Sequence, residues 1–342
     1  MSNQTKFEHF EEHVVNKEHD IFNSPKFEIY RKRWHEYPGK RILTDFPMNI
    51  DLCITSRCNL SCIMCRRTLE LKKGITSGIF QTEQGDMDFN VYKKIIDEAA
   101  REGVYAIHIS GDGEPLLHKD IIDMIKYARS KNILDLFMHT NATLLYGDVA
   151  AELLEAGLTR LIISVDSPVK ETYEKIRVGA DFDVVVNNIK NFMDLKKKKG
   201  LKYPFVRVQM VEMNNNRDQR NAYVNYFGNI VDSIGLIEYM NFYELDEEDR
   251  YYRPRKYKDD YVCRQLWQRL CINFDCNVYI CVRTHENGKL GMVHNSSIKE
   301  LWHGEKMKKL RNGHLNGNID KISPCSNCGQ QLESVTEEER FD

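Results

Sequence analysis

The segment CNLSCIMC carries three cysteines, Cys58, Cys62 and Cys65, in the spacing C-x3-C-x2-C. Three thiolates are one short of the four ligands of a structural zinc site, and a disulfide needs only two cysteines. A metal centre held by three thiolates keeps one coordination position open for a cofactor or substrate. The alternative is part of a zinc site whose fourth ligand lies elsewhere in the chain.

The ten cysteines fall into two groups, because none lies between Cys65 and Cys263. The second group occupies CRQLWQRLCINFDCNVYIC and the later CSNC. The first twenty residues lack the apolar segment of a secretory signal, so we expect a cytoplasmic protein. In a reducing compartment, grouped cysteines are more often metal ligands than disulfides. The sequence therefore predicts two metal sites in two domains.

Length and charge restrict the class of protein further. A chain of 342 residues favours two domains, and a net charge of −2 gives no electrostatic case for binding nucleic acid or anionic lipid. No apolar run approaches the roughly 18 residues of a membrane span. We therefore expect no nucleic-acid or membrane partner.

Short apolar strands alternate with amphipathic helices from MNIDLCIT to IEYMNFYEL, a pattern typical of a parallel sheet covered by helices. Six such units predict an α/β fold with a partial (β/α)6 TIM-like barrel. We assign residues 1–46 to an N-terminal helical extension that covers the barrel, 47–245 to the barrel, and 246–342 to a small C-terminal domain. The charged segment 246–260 is predicted to be the linker between them.

The cysteine loop follows the first predicted strand directly, and ligands of parallel α/β folds gather at the carboxyl ends of the strands. This loop resembles that of the radical S-adenosylmethionine (SAM) superfamily, and the likeness extends over most of the chain. The resemblance implies that Cys58, Cys62 and Cys65 hold three irons of a 4Fe-4S cluster. The fourth iron would bind the amino and carboxylate groups of SAM.

Segments after the later strands match the same family. SGDGEP resembles the Gly-Gly-Glu-Pro motif, with Asp112 in place of a glycine. The resemblance implies that Gly113 and Glu114 bind the methionine part of SAM; the alternative is a tight turn. Asn141, in HTNATLL, matches an asparagine at the same edge of the barrel.

Two further positions match residues that hold the ribose or the methionine carboxylate of SAM, namely Ser164 and Arg177. An arginine suits a carboxylate because its guanidinium donates two parallel hydrogen bonds. Met210, on the fifth strand, is predicted to pack on the adenine, and ordinary core packing is its alternative.

The C-terminal cysteine segments, with SIKELWHGEKMKKLRNGHL between them, resemble the SPASM and twitch auxiliary domains of radical SAM enzymes. The shorter twitch form fits best and implies one auxiliary 4Fe-4S cluster bound by Cys263, Cys281, Cys325 and Cys328. Cys276 stands where the family has glycine, and Cys276 or Cys271 could replace one of these ligands. A zinc ribbon is the alternative for the whole group.

A fully ligated auxiliary cluster suits electron transfer, and a twitch enzyme of this layout oxidises an alcohol of an aminocyclitol. The resemblance therefore implies a radical SAM dehydrogenase acting on a sugar or aminocyclitol, with flavodoxin or ferredoxin as electron donor. Arg207 is the predicted catalytic base, and Glu212, His139 and Tyr243 are its alternatives. A peptide-modifying maturase of the same family and a non-catalytic metal scaffold remain the rival functions.

Overall fold

The protein has a mixed α/β fold in which a parallel sheet forms a partial barrel, as the sequence predicts. The computed structural model describes residues 24–74, 84–110, 113–239, 255–257, 262–282, 284, 286–326, 328 and 332–334. Within these residues, no helix is long and apolar enough to cross a membrane.

The strands are β1 (Asn49–Cys53), β2 (Ala106–Ser110), β3 (Asp135–Thr140), β4 (Arg160–Ser164), β5 (Phe205–Glu212), β6 (Ser233–Glu238), β7 (Arg255–Tyr257), β8 (Arg269–Ile272), β9 (Asn277–Tyr279), β10 (Lys289–Met292) and β11 (Leu332–Ser334). The helices are α1 (Pro25–Lys40), α2 (Arg66–Lys72), α3 (Phe89–Arg101), α4 (Ile121–Ser130), α5 (Gly147–Ala156), α6 (Lys170–Ile176), α7 (Phe182–Lys198), α8 (Arg220–Phe227), α9 (Ile298–Trp302) and α10 (Glu305–Leu315).

Strands β1 to β6 are parallel and neighbour each other in chain order. Strand β8 pairs in parallel with the other side of β1, and β9 and β10 follow it as antiparallel strands. The C-terminal part of the chain therefore continues the sheet of the barrel. The boundary predicted at residue 245 lies outside the described residues, as does most of the predicted linker.

The two faces of the sheet differ in polarity because side chains alternate along each strand. One face packs against the helices and forms the main core, with residues such as Ile50, Leu52, Ile107, Ile109, Leu136, Met138, Leu161, Ile163, Val206, Val208 and Met210. The opposite face lines the barrel and carries Asp51, His108, His139, Arg207 and Arg269. The functional groups of the barrel therefore occupy alternate positions along each strand, on the side opposite the main core.

Helix α1 covers the amino ends of the strands. Its Tyr30 stacks on Tyr105, with ring centroids 5.1 Å apart, and packs with Met48 and Ala106. The carbonyl oxygen of Trp34 accepts a hydrogen bond of 2.7 Å from Gln268 Nε2. The covering helix predicted for the N-terminal extension is thus present at the end of the barrel opposite the cysteine loop; residues 1–23 lie outside the described residues.

The sixth strand begins earlier than predicted. The sequence prediction took the aromatic-rich 237–245, whereas β6 spans Ser233–Glu238. The strand includes Gly235, where a Cβ atom would lie 3.2 Å from Arg207 Cδ. A glycine in the strand therefore makes room for the arginine side chain on β5. Tyr243, an alternative catalytic base, lies outside the described residues.

Candidate active site and auxiliary cysteine group

The cysteine loop connects β1 to α2 at the carboxyl end of the barrel. Cys62 is buried, whereas Cys58 and Cys65 are partly exposed. Apolar side chains surround the thiols, namely Leu60, Met64, Ile176, Met213 and Tyr239. Burial raises the pKa of the Cys62 thiol to about 11, against the influence of the Arg177 guanidinium. Because such thiols ionise readily only beside a strong positive charge, the three of them fit a metal centre.

Backbone hydrogen bonds hold this loop to the end of α6 and the residues just after it. The amide of Ser61 donates to the carbonyl oxygen of Val178 at 2.9 Å, and the amide of Ile63 donates to Ile176 at 3.0 Å. The loop therefore has a fixed conformation set by a segment more than a hundred residues away in the chain.

Gly113 lies against the backbone just before Cys58. A Cβ atom at this position would clash with the carbonyl oxygen of Thr55 and lie 2.5 Å from that of Arg57. The next amide, that of Glu114, donates to the Arg57 carbonyl oxygen at 2.8 Å. Close contact between two loops therefore explains why a glycine stands at this position. Asp112 lies outside the described residues.

Glu114 is buried and joins the loops that follow β2 and β3. Its Oε1 accepts from the Leu116 amide at 3.1 Å and from Thr140 Oγ1 at 2.7 Å, and its Oε2 accepts from the Asn141 amide at 2.7 Å. Burial raises the pKa of Glu114 despite these hydrogen bonds. The carboxylate thus braces the edge of the barrel, and its contact with SAM stays a prediction.

We expect Glu114→Gln to destabilise the protein by about 1–3 kcal/mol. Whichever oxygen becomes the amide NH2 group, one of the two backbone amides loses its acceptor while buried. Chemical denaturation of the anaerobically reconstituted protein measures the change. Glu155→Gln is the matched control, because Glu155 forms an exposed pair with Lys199. Equal stability of the two variants would contradict this bracing role.

Asn141 connects the same edge to the cysteine loop. Its Nδ2 donates to Asn59 Oδ1 at 2.9 Å, and its Oδ1 accepts from the Thr143 amide at 2.9 Å. Asn59 in turn donates to Thr143 Oγ1 at 2.8 Å. The structure thus brings Gly113, Glu114 and Asn141 together around the cysteine loop, as the motif order predicts.

Arg177 also reaches the cysteine loop. Its Nη1 lies 3.9 Å from Cys62 Sγ, and its Nε donates to Asp166 Oδ2 at 2.6 Å. If Arg177 binds the methionine carboxylate of SAM as predicted, its guanidinium would contact that carboxylate and Asp166 at the same time. Ser164 ends β4 on the barrel-facing side and is partly exposed. Roles for these two residues in SAM binding stay predictions.

The structure changes the interpretation of three residues on β5. Met210 is fully buried in the helix-facing core, which favours core packing over contact with adenine. Arg207 faces the barrel but is only 4% exposed, and burial lowers its pKa to about 10. It therefore stays protonated near neutral pH, which is unsuited to a base. Glu212 accepts two hydrogen bonds from Arg220, of 2.8 and 2.7 Å.

The four cysteines predicted to bind the auxiliary cluster come together. Burial raises the pKa of the Cys325 thiol, and the neighbouring thiols of Cys263, Cys281 and Cys328 raise it further. All four are partly exposed. In the described part of the chain, no three Cys, His, Asp or Glu side chains are as close as the ligands of a single metal ion. Four neighbouring thiols are a ligand set that a 4Fe-4S cluster uses, and zinc is the alternative for the same set.

The remaining C-terminal cysteines differ from these four. Cys276 has a φ of 69°, the left-handed conformation that glycine adopts most readily, and the charges that affect its thiol are those of Asp275 and Asp88. Cys271 lies on the barrel-facing side of β8 with its Sγ 3.6 Å from Asp51 Oδ2, and Cys281 is nearby. The structure therefore explains the glycine of the family pattern at position 276 by backbone conformation.

We expect Cys276→Gly to keep the full iron content of the wild type. Relief of left-handed strain, worth about 1–2 kcal/mol, should be offset by loss of a buried side chain, so stability should change little. Iron analysis of the purified variant together with its melting temperature measures both effects. Loss of about four irons per chain would instead make Cys276 a cluster ligand.

Sequence reasoning missed two barrel-lining residues, Asp51 and His108, and treated His139 only as an alternative base. His108 Nδ1 lies 2.8 Å from Asp51 Oδ1, and His108 Nε2 lies 2.6 Å from His139 Nδ1. The signal was present in NIDLC, AIHIS and LFMHT, where single polar residues interrupt apolar strands. In a barrel, such alternate positions face the interior.

Comparison with known proteins identifies the class of both parts of the chain. Residues 52–211 match the family model of the Radical SAM superfamily, and residues 263–329 match the SPASM iron-sulfur cluster-binding domain. The chain therefore contains a radical SAM domain followed by a SPASM iron-sulfur domain. Its cofactors are accordingly SAM and 4Fe-4S clusters.

One curated relative is GTP 3',8-cyclase from Clostridium botulinum, which is 32% identical over 213 residues, covering 61% of this chain and 59% of the relative. Another, from Pyrococcus furiosus, is named tungsten-containing aldehyde ferredoxin oxidoreductase cofactor-modifying protein. It is 30% identical over 182 residues, covering 52% of this chain and 47% of the relative. The chain spans about half the length of the curated relatives it matches.

Among solved structures, Streptococcus suis SuiB bound to S-adenosylmethionine has a TM-score of 0.63 at 16% identity. The match covers 87% of this chain and 74% of SuiB. BtrN in complex with AdoMet and 2-DOIA has a TM-score of 0.52 at 17% identity, covering 85% of this chain and 96% of BtrN. These likenesses show a shared fold.

Proposed function

We propose that this protein is a radical SAM dehydrogenase that oxidises an alcohol group of a small polar molecule, such as a sugar or aminocyclitol. Cys58, Cys62 and Cys65 would bind the cluster that contacts SAM. When reduced, a cluster of this kind supplies a 5′-deoxyadenosyl radical from SAM, which removes a hydrogen atom from an unactivated carbon. The electron would come from a flavodoxin or ferredoxin in the cytoplasm.

The residues around the cysteine loop would fix the position of SAM. Asn141 contacts the loop directly through Asn59, the Glu114 carboxylate accepts from the Asn141 amide, and Gly113 lets the neighbouring loops meet. Arg177 places a positive charge beside Cys62. Holding the reacting groups in one geometry, away from water, is the main task of the protein in this chemistry.

The observation that carries the dehydrogenase proposal is the group formed by Cys263, Cys281, Cys325 and Cys328. A cluster with four protein thiolates has no free iron for a substrate, but it still accepts an electron. Removal of a hydrogen atom from an alcohol carbon leaves a radical that must lose one electron and one proton to become a carbonyl group. The auxiliary group is suited to receive that electron.

The test incubates the reconstituted protein anaerobically with dithionite, SAM and separate candidate substrates. We expect 5′-deoxyadenosine and a product lighter by two hydrogen atoms with one of a panel of sugars and aminocyclitols that includes 2-DOIA. GTP and a precursor peptide form the control arms. Turnover of the peptide or of GTP alone would contradict the proposal, and no SAM cleavage in any arm would favour a non-catalytic scaffold.

A further inference from the structure

A chain of hydrogen-bonded side chains lines the barrel below the cysteine loop. Arg269 Nη1 lies 3.2 Å from Asp51 Oδ2, His108 lies 2.8 Å from Asp51 Oδ1, and His139 lies 2.6 Å from His108. The guanidinium of Arg269 also lies over the Trp34 ring of α1, at 4.9 Å from its centroid. The chain therefore runs from the closed end of the barrel towards the cysteine loop.

His139 lies next in the chain to residues that contact the edge of the barrel and the cysteine loop. It precedes Thr140, which donates to Glu114, and the next barrel-facing position is Asn141, which contacts Asn59 of the loop. His139 is partly exposed, whereas Arg207 is almost fully buried. Among the described residues, no hydrogen-bond partner is found for His139 Nε2.

Burial and neighbouring charges determine the protonation states of Asp51, His108 and His139. Burial opposes charge on Asp51, but Arg269 and His108 lower the pKa of this carboxyl below its ordinary value, so it is ionised. Burial lowers the pKa of His108. Burial also lowers the pKa of His139, and the neighbouring His108 and Arg160 lower it further, to well below its usual range. Both imidazoles are therefore neutral near pH 7.

An ionised Asp51 accepts only, so His108 carries its proton on Nδ1 and has a lone pair on Nε2. His139 must then donate from Nδ1 to His108, which leaves a lone pair on His139 Nε2. We propose that His139 Nε2, oriented by His108 and Asp51, accepts the hydroxyl proton of the substrate radical in the dehydrogenation. His139 is then the catalytic base, and His108 and Asp51 are positioning residues.

The step balances as follows. After the hydrogen atom has left the carbon, the substrate is a radical that bears a hydroxyl group. Its O–H bond breaks, the proton goes to His139 Nε2, a carbon–oxygen double bond forms, and one electron leaves to the oxidised auxiliary cluster. The proton on Nδ1 of His139 passes to His108 Nε2, where the Asp51 carboxylate stabilises the positive charge.

This inference rests on the proposed function. Two measurements distinguish a failure of the role of His139 from a failure of the proposed function. The first is ¹⁵N NMR of the histidine-labelled, oxidised holoprotein at pH 7.5, assigned with His139→Asn and His108→Asn. We expect neutral His139 with its proton on Nδ1, and a changed tautomer in Asp51→Asn. A charged His139, or one protonated on Nε2, would overturn the assignment.

The second readout is the ratio of oxidised product to 5′-deoxyadenosine with the alcohol that the wild type oxidises. His139→Asn keeps a donor near the Nδ1 position but has no basic nitrogen. It should cleave SAM as the wild type does and lower the product ratio about a hundredfold. His294→Asn, at an exposed histidine, is the matched control and should behave as wild type.

An unchanged product ratio in His139→Asn would overturn the catalytic role of His139 and leave the proposed function intact. A wild-type protein that cleaves SAM but oxidises no alcohol would overturn the proposed function, and the role of His139 with it. Equal loss of SAM cleavage and product would mean that His139 acts before the dehydrogenation step, which also contradicts the proposal.

Discussion

Replacing Cys58, Cys62 and Cys65 together by alanine should abolish SAM cleavage and remove about four irons per chain. The three thiols lie on one loop with an apolar surrounding. The second group should keep its cluster, because it is built from residues after Cys263 that bring their own four thiols together. Anaerobic iron analysis and the yield of 5′-deoxyadenosine measure the two effects.

The matched control for this variant is the double variant Cys53→Ala, Cys276→Ala, which removes two buried cysteines that belong to neither proposed set of cluster ligands. The control should retain both clusters and SAM cleavage. If the triple variant still forms 5′-deoxyadenosine when reduced, the proposed site is wrong. If it loses all of its iron, the two cysteine groups do not form independent sites.

Replacing Cys325 and Cys328 by alanine should leave SAM cleavage intact and reduce oxidised product to near zero. Without the auxiliary cluster, the substrate radical has no acceptor for its electron, and it would recover a hydrogen atom instead. These two cysteines are chosen because they follow α10, whereas Cys263 and Cys281 adjoin segments that extend the barrel sheet. The variant therefore disturbs the sheet least.

This experiment needs a folding control, because removing a metal can unfold a small domain. Circular dichroism and the absorbance of the remaining cluster should both match the wild type before product is measured. In a folded variant, a product-to-5′-deoxyadenosine ratio equal to that of the wild type would make the second cluster structural. The dehydrogenase proposal would then lose its main support.

The sequence predicts the framework of this fold well because its signals are local. Alternating strands and helices determine the parallel sheet, and α3 ends at Arg101 just before Gly103, which adopts the left-handed conformation. The motifs that follow the strands come together because all carboxyl ends of a parallel sheet lie at one edge.

Pairings between distant segments are not encoded in any local pattern. The four-residue strand β8 pairs in parallel with β1 although more than two hundred residues separate them. A short apolar segment such as RLCI predicts a strand but no partner. The sequence therefore did not predict that β8 to β10 continue the barrel sheet.

The same contrast between local signals and distant pairings applies to the residues of the site. Gly113 is recognised from a local motif, but the carbonyl oxygens of Thr55 and Arg57 that leave no room for a side chain there come from a distant loop. The direction of a side chain on a strand requires the register, which decides that Met210 faces the helices and Arg207 faces the barrel. The contact of Asp51 with His108 depends likewise on the pairing of β1 with β2.

Anaerobic iron and sulfide analysis combined with Mössbauer spectroscopy tests the central claim of two 4Fe-4S sites most directly. The two cysteine groups predict about eight irons and about eight sulfides per chain, with all iron in 4Fe-4S clusters. Loss of about half of this iron in the Cys58, Cys62 and Cys65 variant would assign one cluster to this loop and the other to the C-terminal cysteines. About four irons together with one zinc per chain would contradict the claim, because the second group would then be a zinc site.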